Sequence, residues 1–216
     1  MNTTINPDLS NSTSQIGSNK KNNNTILKTL KNIMITTLLC LTVIAAKRLD
    51  YFWLENSLGE KSITELLQVV FLLFTVLCFY KLHRTEKFSG AAMLVSGFFI
   101  TLVTRELDAY FDLILHGFWV YPALVVTLSC LYYALRKGNL NYNMTQILDN
   151  KYMQGLITFI ILLFVFSRLY GMGDFWEGVM GDHYIRDVKN ISEETIELLC
   201  YAFIAWYAHK TRISLT

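Results

Sequence analysis

"SITELLQVVFLLFTVLCFYKL", Ser62 to Leu82, is a stretch whose only charged members, Glu65 and Lys81, stand near its two ends. A helix rises ~1.5 Å per residue, so a stretch of this length crosses the ~30 Å hydrocarbon core of a bilayer. Backbone groups in lipid must be paired within the segment, and nothing here alternates with the period of two that a barrel strand needs. The stretch therefore reads as a transmembrane helix. Five further apolar runs lie at residues 29–47, 89–105, 118–135, 152–170 and 191–209. The expected fold class is all-α: a polytopic bundle of six membrane-spanning helices, residues 26–216 forming a single domain.

Composition agrees. Hydrophobic residues make up 53% of the 216, with only two prolines, and the mean hydropathy is +0.34, too apolar for an ordinary water-soluble domain. Residues 1–25 differ, with seven Asn, four Ser and four Thr. Such a segment buries too little to offset its ordering entropy and reads as a disordered polar tail on the cytoplasmic side. Its length also argues against a cleaved signal peptide, whose charged lead is short. The four cysteines fall in four different apolar runs without metal-ligand spacing, and read as small buried hydrophobes rather than disulfide partners.

Charge along the chain is uneven. Twelve Lys and Arg fall in the N-terminal tail, the 81–88 and 136–151 connections and the C-terminus, while seven fall in the alternate connections. The positive-inside rule then places both termini in the cytoplasm, in an inner (plasma) membrane. Only three acids share the twelve basic residues' side, for a net +9, whereas fourteen share the other side with its seven, for a net −7. Acidic residues contribute little to topology, so this excess asks for a reason of its own. No basic cluster of the kind that neutralises phosphates is present, so nucleic acid is not an expected partner.

Candidate functional residues gather at that acidic end. "TRELDAYFDLILHGFW", Thr104 to Trp119, holds Arg105, Glu106, Asp108, Asp112 and His116 between two apolar runs. On a continuous helix Arg105, Asp108, Asp112 and His116 share one face, a stripe that suits an ion or substrate. Asp112 and His116 at i, i+4, with Glu197 as a third ligand, form the metal-binding alternative, a divalent metal being the one cofactor the pattern admits. In "NISEETIELLCY" Asn190 and Ser192 are capping candidates, Glu193 and Glu194 fit the first turn, and Glu197 lies a turn deeper, where a carboxylate is costly and marks function. Ser62 and Glu65 form a capping box, and Gln68 lies a turn below it. Arg105 and Arg168, which close the third and fifth runs, are the expected counter-ions for Glu197 or Glu106. "GMGDFWEGVMGDHYIRD", Gly171 to Asp187, reads as a mobile loop with interfacial aromatics.

No GxxxxGK[ST], HExxH or GxSxG motif occurs, so no nucleotide-binding, metalloprotease or serine-hydrolase signature is at hand. The expectation is an acidic, outward-facing site between the second, third and sixth helices, serving a small ion- or proton-coupled permease. A metal-dependent, lipid-directed intramembrane hydrolase and a non-catalytic assembly or sensor subunit are the alternatives. Besides the lipid bilayer, the expected partner is a second copy or another membrane protein, since six helices are few for a carrier in one chain.

Overall fold

The computed structural model describes residues 7–53 and 62–216, with the side chains of 7–23 and 53 left aside. Among them there is no strand. The chain forms α1 (Pro7–Trp53), α2 (Ile63–His83), α3 (Ser89–Glu106), α4 (Asp108–Asp112), α5 (Val120–Arg136), α6 (Leu140–Leu148), α7 (Lys151–Leu162), α8 (Arg168–Gly171), α9 (Gly173–Met180) and α10 (Arg186–Leu215). A π turn at Leu163–Ser167 joins α7 to α8.

Four helical segments among the described residues are long and apolar enough to cross a membrane: Asn24–Phe52, Ile63–His83, Glu86–Glu106 and Lys151–Gly171. Val120–Arg136 is a shorter apolar helix. α10 is the longest element after α1, at 30 residues, but mixes its apolar stretch with the acids at its start. These helices suit an integral membrane protein.

By internal packing the chain divides after Thr42 into two units, Met1–Thr42 and Val43–Thr216. Among the described residues α1 is the one element of the first unit, and its helical backbone starts at Pro7. Extending a helix already formed by an apolar segment adds one bond per residue fixed and carries no new nucleation penalty.

In the second unit α10 lies against α2 and the α7–α8 segment, and α3 lies between α2 and α5. The shared core includes Leu72, Phe79, Phe99, Leu156, Tyr201 and Ile204, with Phe79 and Phe99 stacked at a centroid distance of 5.9 Å. Lipid tails are as apolar as leucine, so helix association in a bilayer depends on close packing rather than on escape from water. Two glycines provide it. A Cβ on Gly97 of α3 would stand 2.6 Å from the Cys130 sulfur on α5, and one on Gly155 of α7 would stand 2.5 Å from the Tyr207 ring on α10. Cys78, Cys130 and Cys200 are buried, and all four cysteines are free thiols.

Three local expectations are corrected. The helix over Thr104 to Trp119 is not continuous: α3 stops at Glu106, Leu107 takes φ −97° and ψ 15°, and α4 runs only to Asp112. The four-residue stripe of Arg105, Asp108, Asp112 and His116 is thereby broken. α10 begins at Arg186 after Ile185 rather than at Asn190, with Asp187 as its first-turn acid. Ser192 is consequently interior and donates to the Val188 carbonyl at 2.8 Å, and Glu193 and Glu194 lie in the second turn or beyond. The glycine-rich loop contains α9, fixed partly by the Trp176 Nε1–H donated to the Tyr170 carbonyl at 2.8 Å.

Candidate functional site

The end of the bundle where α3 finishes and α10 starts holds a polar cluster built on Arg105. Its Nη2 stands 3.3 Å from Glu197 Oε1 and 3.4 Å from Glu106 Oε1, so two carboxylates share one guanidinium nitrogen. Each acid has a second partner. Ser167 Oγ donates to Glu197 Oε1 at 2.5 Å, and Tyr201 OH donates to Glu106 Oε1 at 2.8 Å. Glu197 is 6% exposed, whereas the Arg105 side chain is 41% exposed, so the cluster is reached from the arginine side.

Ser167 is in place because of the π turn. An extra residue in one helical turn rotates the next residues relative to their places on a regular α-helix, and such turns recur at functional sites. Here the last residue of the turn faces Glu197. Beside it opens a cleft of about 300 Å³, lined by Arg105, Ser167, Arg168 and Glu193 with Phe164 and Met172 among its apolar walls. That volume is at the small end of ligand pockets. Gly171 admits the Glu193 carboxylate, since a Cβ there would lie 2.5 Å from its Oε1.

A second polar layer ties the last turns of α1, from Val43 onward, to α2 and α10. Lys47 Nζ pairs with Glu194 Oε2 at 2.5 Å, and Gln68 Nε2 donates to the Glu194 carbonyl at 3.3 Å. Asp50, 4% exposed, accepts from the Ile63 N–H at 2.7 Å, the Thr64 N–H at 3.1 Å and the Thr64 hydroxyl. Its carboxylate thus satisfies donors that the start of α2 leaves unpaired and sits at the positive end of that helix. Ser62 accepts from the Glu65 N–H at 3.1 Å, the serine half of the expected capping box.

No family model, curated protein sequence or solved structure matches this chain. What the site can do is read from its geometry.

Of the residues expected to act together, Arg105, Glu106 and Glu197 converge. Gln68 and Glu194 form the adjoining layer, and Glu65 is half-buried at the α2 start. Arg168 lines the cleft but makes no ion pair among the described residues, so the counter-ion of Glu197 and Glu106 is Arg105. Asp108 is exposed at the start of α4. Asp112 and His116 pair locally instead: Asp112 Oδ2 and His116 Nδ1 are 2.8 Å apart, and Asp112 Oδ1 accepts the Gly117 N–H at 2.8 Å. That N–H holds the Asp112 carboxyl below its ordinary range, and His116 acts in the same direction.

The set Asp112, His116 and Glu197 is not assembled, and among the described residues no three His, Cys, Asp or Glu side chains are grouped to hold a metal. The break at Leu107 is the reason: it turns Asp112 and His116 onto an exposed surface while Glu197 stays between helices. Sequence reasoning passed over Lys47, Asp50 and Ser167. Lys47 and Asp50 were legible as charges at the end of an apolar run, but nothing in the sequence marks the π turn that aims Ser167.

Proposed function

We propose that this is a six-span membrane protein with both termini cytoplasmic, and that the Arg105 cluster is the ion- or proton-coupling site of a small permease. The observation that carries the reading is the sharing of Arg105 Nη2 by Glu106 and Glu197. One guanidinium compensates one carboxylate at contact distance, so the pair has room for a proton or a small cation beside it. Ionisable groups at membrane depth are costly and mark ion or substrate pathways, and carriers place such groups where helices are interrupted. The π turn beside Ser167 and the stop at Glu106 are interruptions of that kind. The lipid-hydrolase alternative gains no support, because its ligand set is dispersed. The assembly or sensor reading draws on the second layer, where Lys47, Asp50 and Gln68 do purely structural tying.

The test is charge movement by the purified protein reconstituted on a solid-supported membrane, after jumps in pH, sodium or potassium. The parent should give a transient current for at least one of them, and Glu197→Gln should give none. Absence of any transient from the parent would sink the carrier reading and favour the assembly subunit.

A further inference from the structure

Arg168 is an exposed arginine at the end of a membrane-length segment. It has no ion-pair partner among the described residues, although Glu193 lines the same cleft and Glu197 and Glu106 are paired with the Arg105 that lines it. Glu193 is engaged elsewhere, by Lys189 Nζ at 3.2 Å. Arg105, on another wall of the cleft, spends only Nη2 on its acids. A guanidinium presents its donors in a planar fork, so the remaining edge of Arg105 and the whole of Arg168 are free to take a planar or tetrahedral anion. Ser167 has its hydroxyl proton committed to Glu197, so the two arginines are the donors of the cleft, and Phe164 and Met172 suit the apolar part of a small organic ion.

Charge balance adds a consequence. Arg105, Arg168 and Lys189 stand against Glu106, Glu193 and Glu197, with the exposed Asp108 acting on Arg105 and Glu106 from α4. An anion entering the cleft adds negative charge to this set, and a proton on one of the two carboxylates sharing Arg105 removes as much. Glu197 faces Arg105 and Glu106 from α3, Ser167 from the π turn, and Glu193, Cys200 and Tyr201 from its own helix, so the acceptor proposed is the Glu106–Glu197 pair.

We propose that this cleft binds the anionic group of a small solute through Arg168 and Arg105, and that a proton bound by Glu106 and Glu197 accompanies it. The anion site stands on the cleft alone, while the accompanying proton rests on the carrier reading above. By thermodynamic reciprocity the proton and the anion each tighten the other's binding.

The experiment uses the full chain in phosphatidylcholine nanodiscs with methanesulfonate, an anion that does not titrate near neutrality, as probe. Saturable thermal stabilisation is expected in the parent, with affinity weakened roughly tenfold or more in Arg168→Gln, the loss of about one charge-assisted hydrogen bond. Arg168→Lys, which keeps the charge and loses the fork, should lie between the two and serves if the glutamine variant fails to fold. Stabilisation that depends on Arg168 but arises only when phosphatidylglycerol replaces phosphatidylcholine would uphold the site and name a lipid headgroup as its anion. Stabilisation in neither medium, or stabilisation indifferent to Arg168, overturns it. For the coupling, adding methanesulfonate to weakly buffered protein should raise the solution pH in the parent and not in Glu106→Gln/Glu197→Gln. Anion binding without proton uptake would refute that half and leave the anion site standing.

Discussion

At the scale of single residues, the shared arginine has a specific energetic consequence. Because Arg105 contacts both acids, replacing either one by its amide leaves the guanidinium a carboxylate partner, so Glu106→Gln and Glu197→Gln should each change stability by no more than ~1 kcal/mol. The double variant strands the arginine. It should cost roughly 1–3 kcal/mol beyond the sum, less than the full penalty for a buried unpaired charge because the Arg105 side chain is 41% exposed. A double-mutant cycle read by thermal unfolding in detergent measures this, and strict additivity would show that the two acids act independently. The Asp112 carboxyl supplies a pH prediction. It is held below its ordinary range by the Gly117 N–H and His116, so its contribution to the 112–117 turn is present above the unfolded-state value of ~3.9 and disappears as pH falls through the lower folded-state value. An NMR titration of that carboxyl should give a midpoint under ~3.9, and amide protection at Gly117 should vanish only below it. Depth made Glu197 legible in the sequence and a place between two apolar runs made Glu106 legible; their partner was open between Arg105 and Arg168 because both close apolar runs equally well.

At the scale of elements, the contacts that decide packing are those where a side chain is missing. Gly97 lets α3 approach α5 so closely that its Cβ would stand 2.6 Å from Cys130 Sγ and 2.9 Å from Cys130 Cβ. Gly97→Ala should therefore destabilise the protein by ~1–3 kcal/mol through overpacking, and Cys130→Ala, which removes the sulfur, should recover part of that loss. Unfolding midpoints of the two single variants and the double would show it; equal stability of Gly97→Ala and the parent would mean that α5 moves away freely. Element boundaries were less legible than element identity. The apolar run at 62–82 corresponds closely to α2, but the starts and stops at Glu106 and Arg186 depend on bonds local propensity does not contain. Leu107 breaks the helix where Arg105 and Glu106 turn toward α10, and α10 gains a turn ahead of Asn190 with Asp187 in its first turn.

At the scale of the whole molecule, the uneven distribution of charge gives the topology its test. A reporter fused after Arg212 should be active only as a cytoplasmic probe, and one inserted near Gly181 only as an external one; the reverse pattern would place the Arg105 cluster on the cytoplasmic side. Hydrophobic period and segment length are local properties, which is why the helical class and the apolar segments follow from the sequence by itself. Which acids meet which arginine is different. It depends on the azimuth of each helix about its axis, set by the close approaches at Gly97 and Gly155, and on the π turn that aims Ser167 at Glu197. Those are interactions between residues far apart in the chain, and only the tertiary structure decides them: it gathers Glu106, Glu197, Ser167 and Arg105 into one cluster and leaves Asp112 and His116 to each other.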